Sequence, residues 1–317
     1  MNYAYKNVLK NNIIMQHKAK KTADNYVKRV ENIAIGIGLE NQQNLLFIKK
    51  YKNKIKNFIL KEPRITGQQE YVTGINGVIR YGGEQFDADT IAFFKNFAYD
   101  LKQGGTDFRL KQQKTEKEKG QWNDGEDWDV IIKKMDEQYP YFLTLNPSNV
   151  EERKSLIDYI ILALYIYIPP RRLQDYSLMK IVDDEENTKD TNYNYYVKNK
   201  HIFIFNVYKT SKTYGSFTEK VPKKLYRLLH NYLLINKSGY MIISSSGRVL
   251  ETPNTLGKKL KHASLNILHQ DLTLNPFRHM CIEHYDDNNN QTLYERNKFA
   301  QQMGHNVMTN ILYKKFD

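Results

Sequence analysis

Near the end of the chain stand Arg278-His279, then Met303-Gly304-His305, then Tyr313. Arginine offers a planar fork of N–H donors that matches phosphate oxygens, histidine exchanges a proton near neutral pH, and a phenol attacks once its proton is taken. In that order the groups could hold a DNA phosphate, move its protons and attack it. The chain has 24 tyrosines, so residue type alone does not select Tyr313. Spacing says more. From 305 to 313 an unbroken helix would rise about 12 Å, so a break or cap at Asn306, Thr309 or Asn310 is needed for both groups to meet one phosphate.

Further upstream, Pro169-Pro170 should stop a helix, with Pro170 suited to open the next one. That would put Arg171 and Arg172 at a helix N-terminus, where backbone amides already favour an anion. Asp175, three residues after Arg172, is within reach to orient the Arg172 guanidinium. A strand from Phe203 to Tyr208 runs into 209–215, Lys-Thr-Ser-Lys-Thr-Tyr-Gly, a hairpin tip from which Lys209 and Lys212 project. Either lysine can deliver a proton if burial or neighbouring arginines lower its pKa. Asn275-Pro-Phe-Arg278-His279 opens a helix that Met280, Ile282 and Glu283 continue. Arg278 then supplies a second fork, with His279 beside it as a proton or hydrogen-bond group. Taken singly, each has a plainer reading as a surface arginine, a solubilising lysine or a structural histidine.

The elements that must position these groups are legible in part. A chain of 317 residues, 40% hydrophobic, is long enough for two domains with real cores. The first hundred residues read as basic helices. Tyr26, Val30, Ile33 and Ile37 recur at helical spacing, with Lys20, Lys21, Lys28 and Arg29 toward other faces. A second helix is expected over 45–60, a third through Tyr71, Ile75, Val78 and Ile79, and a fourth through Ile91, Phe94, Phe97, Ala98 and Leu101, with Gly82-Gly83 and Gly104-Gly105 as separators. The polar stretch 106–121 reads as a linker. Asp124-Gly125-Glu126-Asp127, flanked by Trp122 and Trp128, matches no calcium-loop spacing and reads as a solvated charge run. Beyond it, Leu156 to Ile168 reads as a central buried helix, 193–208 as strands, and 223–234 and 254–268 as helices, the last entered through Thr252-Pro253.

Composition narrows the function. Forty-eight Lys and Arg against 35 Asp and Glu give a formal charge of +13, which suits a polyanionic partner. Cys281 is the only cysteine, so neither an internal disulfide framework nor a cysteine-rich metal site is expected. The run 156–168 is too short to cross a bilayer and carries Asp158; no secretory signal is recognised at the start, and no address selects nucleus, nucleoid or viral replication site.

Together these pieces resemble the tyrosine recombinase and phage integrase family, related to the type IB DNA topoisomerases. Pro170-Arg-Arg172-Leu-Gln-Asp175-Tyr-Ser-Leu178 resembles its first arginine box, with Arg172 in the catalytic register and Asp175 in place of the usual glutamate. Lys209 falls where the hairpin lysine is expected, with Lys212 as the fallback and Val221-Pro222 resembling the end of that hairpin. Arg278-His279, Met303-Gly304-His305 and Tyr313 match the later boxes, and the resemblance covers about 150–313. It departs in three places. Asn275 stands where the family has a histidine, Tyr313 arrives one residue early after Gly-His, and only Lys314 to Asp317 follow it, leaving little of the C-terminal helix that many relatives exchange between protomers.

The resemblance implies a mainly α protein: a helical core-binding domain over 1–105, a linker over 106–121, and over 122–317 a mixed α+β catalytic domain with a small antiparallel sheet. It implies a clamp on double-stranded DNA, a synaptic tetramer, and cleavage through a 3′-phosphotyrosine at Tyr313 without nucleotide, metal or other cofactor. Arg172, Lys209, Arg278 and His305 would act on the phosphate, supported by Asp175, Lys212, Asn275 and His279. A type IB topoisomerase and a catalytically impaired DNA-binding relative are the alternatives.

Overall fold

Apolar residues at helical spacing fold the described part of the first hundred residues mainly as helices in the computed structural model, which describes residues 20–39, 45–81, 86–121, 128–287 and 291–314, with 7, 9–11 and 14 before them. The chain divides into two compact units, 1–111 and 112–317.

In the first unit, α1 (Lys20–Gly36) buries Ala23, Val30, Ile33 and Ala34. The helix expected over 45–60 is two, α2 (Leu46–Lys50) and α3 (Lys52–Leu60), because Tyr51 leaves helical geometry at φ −119° and ψ 30°. They are followed by α4 (Ile65–Tyr81) and α5 (Ala88–Leu110), the latter capped by Asp87 accepting from the Thr90 amide. Both α1 and α5 pack on α4. Gly77 makes the first contact possible: an added Cβ would lie 2.3 Å from the Tyr26 ring.

Gly104-Gly105 does not separate helices but lies inside α5. The Gln69 amide nitrogen occupies the space beside Gly105, 2.1 Å from where a Cβ would stand, and donates to the Leu101 carbonyl at 2.7 Å. Absence of a side chain thus admits a hydrogen bond between helices, which sequence alone reads as a break. Lys20, Lys21 and Lys28 are exposed, while Arg29, Lys49 and Lys52 pair with Glu70, Asp87 and Asp89.

Of the stretch expected as linker, 106–110 continue α5 in the first unit, and the second unit opens with a short helix α6 (Glu116–Gln121), followed by α7 (Trp128–Thr144) and α8 (Val150–Ile166). Every residue of α8 from Leu156 to Ile166 is buried, at about 1.5–3 kcal/mol for each large apolar side chain. Asp158 is tolerated there because Lys259 pairs with it and Asn266 donates to it at 3.0 Å.

A four-residue helix α9 (Leu173–Tyr176) precedes the strands β1 (Lys180–Val182), β2 (Tyr195–Val197) and β3 (Ile202–Phe205). A helical turn α10 (Ser211–Tyr214) sits between β3 and β4 (Phe217–Lys220). The strands form one sheet in chain order. It is mixed rather than antiparallel: β1 and β2 run parallel, a short return makes β2–β3 antiparallel, and the longer connection through α10 makes β3–β4 antiparallel.

Helices α11 (Lys223–Ile235) and α12 (Pro253–Leu268) pack on α8, the latter with the expected Thr252 cap and first-turn proline. Three helices close the unit: α13 (Leu274–Asp287), α14 (Leu293–Gln302) and α15 (Val307–Tyr313). The chain is mainly α with a small sheet, and no helix among the described residues is long and apolar enough to cross a membrane. Gly82-Gly83 and the acidic run at 124–127, with Trp122, lie outside the described residues.

Candidate active site

The C-terminal end of α14 is the centre of the site. The last carbonyls of a helix have no partners within it and carry partial negative charge, and here three guanidinium groups meet them. Arg171 donates from Nη1 to the Gln302 carbonyl at 2.7 Å and to Gln301 at 3.2 Å. Arg172 Nη1 donates to the Gly304 carbonyl, and Arg278 Nη1 to Met303 at 3.3 Å and to Pro170 at 2.5 Å. Gly304, at φ +71°, turns the chain out of α14 so that these oxygens face the arginines. An added Cβ there would lie 3.1 Å from Arg171 Nη2.

Pro170 does not open a helix. Residues 169–171 are neither helix nor strand, and Arg172, extended at φ −72° and ψ 152°, is itself the cap position of α9. Arg172 therefore stands at a helix N-terminus as expected, with Arg171 one residue before it. Asp175 does not orient Arg172: its Oδ2 accepts from Arg171 Nε at 3.0 Å, and both side chains are fully buried. Arg171 also lies 3.9 Å above the Phe205 ring. Burial pushes the Asp175 carboxyl above its usual range despite Arg171, Arg172 and Arg278 nearby. Arg172 is half-buried and is the more open of the pair.

Arg278 is 1% exposed, and burial presses its guanidinium below the usual range. Its Nη2 lies 2.9 Å from His305 Nδ1. Since a guanidinium only donates, Nδ1 accepts, and the proton of the neutral ring is on Nε2. Burial first, then the charges of Arg278 and Arg172, hold His305 down to about 2. The ring is therefore neutral, with a buried N–H at Nε2, and the Asn310 side chain partly opposes the downward shift. Arg278 Nε and Arg171 Nη2 are likewise buried donors, the Tyr313 side chain raises the Arg278 guanidinium against burial, and Asp175 Oδ1 and Asn310 Oδ1 are buried acceptors. Buried N–H groups of two guanidiniums and an imidazole at one turn suit an anion with several oxygens.

Tyr313 ends α15 beside this cluster. Asn306 provides the break needed after His305, its side chain accepting from the Thr309 amide at 2.8 Å to start the new helix. The half-buried Tyr313 ring lies 5.4 Å from the His305 ring, 4.9 Å from His279 and 5.2 Å from the Arg278 guanidinium carbon. Arg278, His279, His305 and Tyr313 are thus brought together, with Arg172 on the adjoining carbonyl.

Lys209 and Lys212 are exposed in the β3–β4 connection. β3 ends at Phe205, earlier than expected, and Thr210, next to Lys209, donates to the Gly304 carbonyl at 3.1 Å, fixing that part of the connection at the turn. Asn275 is exposed in the first turn of α13. Sequence reasoning passed over Arg171 as the buried anchor, although the spacing to Asp175, four residues on, is that of a facing pair on a helix. It also passed over Thr210, for which no local signal exists.

No protein-family model matches the chain, and a search of curated proteins finds no match. Among solved structures it is similar to the crystal structure of XerA recombinase, at 12% identity over 99% of this chain and 94% of that one, with a TM-score of 0.40. A likeness this loose carries no weight for the chemistry, which rests on the residues themselves.

Proposed function

We propose that this chain is a site-specific DNA recombinase or integrase that cleaves duplex DNA by attack of Tyr313 on a backbone phosphate. The observation that carries the proposal is the placement of Arg278 and His305 beside the ring of Tyr313, with Arg172 on the adjoining Gly304 carbonyl. In this reading, the non-bridging oxygens of the phosphate accept from Arg172, Arg278 and His305 Nε2, and charge developing on them is stabilised by donors already in place. The Tyr313 hydroxyl gives its proton to solvent water, and its oxygen bonds to phosphorus as the bond to the 5′-oxygen breaks. Lys209 gives its proton to that departing oxygen, with Lys212 as the substitute. A 3′-phosphotyrosine and a free 5′-hydroxyl result, and a hydroxyl from another strand reverses the step.

The helical unit, with exposed Lys20, Lys21 and Lys28, would contact phosphates without reading sequence. Paired sites would be joined in a homotetramer. The test is strand exchange between two labelled duplexes taken from the ends of the native element. Recombinant products with a protein-linked 3′ end support the proposal; relaxation of plasmids lacking any such site, without exchange, would replace it with a type IB topoisomerase.

A further inference from the structure

Tyr313 is the last residue of a seven-residue helix. Helices of that length do not hold themselves, and their final turn frays first. The carbonyls at the end of α15 are instead held by side chains from elsewhere in the second unit. Gln112 donates from Nε2 to the Ile311 carbonyl and to the Lys314 carbonyl at 2.8 Å. It does so from φ +52°, a left-handed conformation uncommon for glutamine. His279 donates from Nδ1 to the carbonyl of Tyr313 itself. Glu118 Oε1 lies 3.4 Å from His279 Nε2, and its other oxygen is fixed by the Thr115 amide at 2.8 Å and hydroxyl at 2.9 Å.

We infer that the 112–118 segment aims the nucleophile, with Gln112, Glu118 and His279 acting as positioning residues for Tyr313. The inference rests on the reading of Tyr313 proposed above. None of these contacts touches the three arginines or His305, so the phosphate cradle and the aim of the phenol are built from separate parts. Placement matters steeply, since a misplacement of about 1 Å can cost about 100-fold in rate.

The full-length protein, reacted with a duplex nicked just beyond the cleaved phosphate, separates the two parts. Gln112→Ala and Glu118→Gln should each slow covalent adduct formation about tenfold or more in single turnover, while DNA affinity by gel shift stays at the wild-type level. A second measurement removes the phenol. In a Tyr313→Phe background with hydrogen peroxide as nucleophile, a peroxide oxygen bonds to phosphorus, the bond to the 5′-oxygen breaks, and that oxygen takes a proton. Gln112→Ala should leave this rate unchanged, because peroxide needs no aiming.

Equal slowing of the tyrosine and peroxide reactions would overturn the inference and make the segment a support of the cradle. Adduct formation at the wild-type rate in both variants would also overturn it. Absence of any adduct with the unaltered protein would instead defeat the proposed function, and the inference with it.

Discussion

At the scale of residues, neighbouring arginines that look alike in sequence have different surroundings. Arg171 is sealed between Asp175, the Phe205 ring and the end of α14, whereas Arg172 is open enough to meet a ligand. The residue types were legible, but the partnership of Asp175 was not, because three- and four-residue separations both fit one helical turn. Arg278→Ala should slow cleavage by about 100-fold or more, and Arg278→Lys should not restore it, since an ammonium lacks the second arm of the fork. Single-turnover adduct rates check both. Lys209 is tested through its leaving group: Lys209→Ala should slow cleavage of ordinary DNA but not of a duplex with sulfur at the 5′-bridging position, which departs without a proton. If the sulfur substrate is slowed equally, Lys209 is not the acid. For His305, the folded ring at about 2 lies below the unfolded value of about 6.5, so the folded state binds fewer protons between them and stability rises with pH there. Stability is therefore lost as pH falls below about 6.5, and His305→Gln should flatten the dependence of Tm on pH across the acid side of that value.

At the scale of elements, long apolar patterns were easiest to read. The buried helix α8 and the capped start of α12 follow from local sequence. The split at Tyr51, the unbroken α5 through Gly104-Gly105 and the parallel β1–β2 pair do not, because each depends on what packs against it. The requirement for a break between His305 and Tyr313 was legible from spacing, and Asn306 meets it. Asn306→Ala should cost about 1 kcal/mol and, on the proposed function, slow adduct formation more than it weakens DNA binding, because the cap starts the helix that carries Tyr313. In the first unit, Gly77→Ala should lower Tm by driving α1 off α4, since its Cβ would meet the Tyr26 ring at 2.3 Å. A Tm equal to wild type would mean that Tyr26 moves aside at no cost.

At the scale of the whole molecule, the proposed function assigns affinity for DNA to the +13 charge and chemistry to the cluster around Gly304. DNA affinity should fall linearly on logarithmic axes with salt, and replacing Lys20, Lys21 and Lys28 with alanine should reduce that slope by about 0.9 for each phosphate no longer neutralised. The central claim is the covalent link. A duplex nicked just beyond the cleaved phosphate lets the short fragment with the free 5′-hydroxyl diffuse away and traps the intermediate, which denaturing electrophoresis separates and peptide mass spectrometry locates. The account predicts a DNA 3′-phosphate on Tyr313, with no adduct from a Tyr313→Phe protein that still binds the same duplex. Adduct formation by Tyr313→Phe at the wild-type level, or a link mapped to another residue, would contradict it.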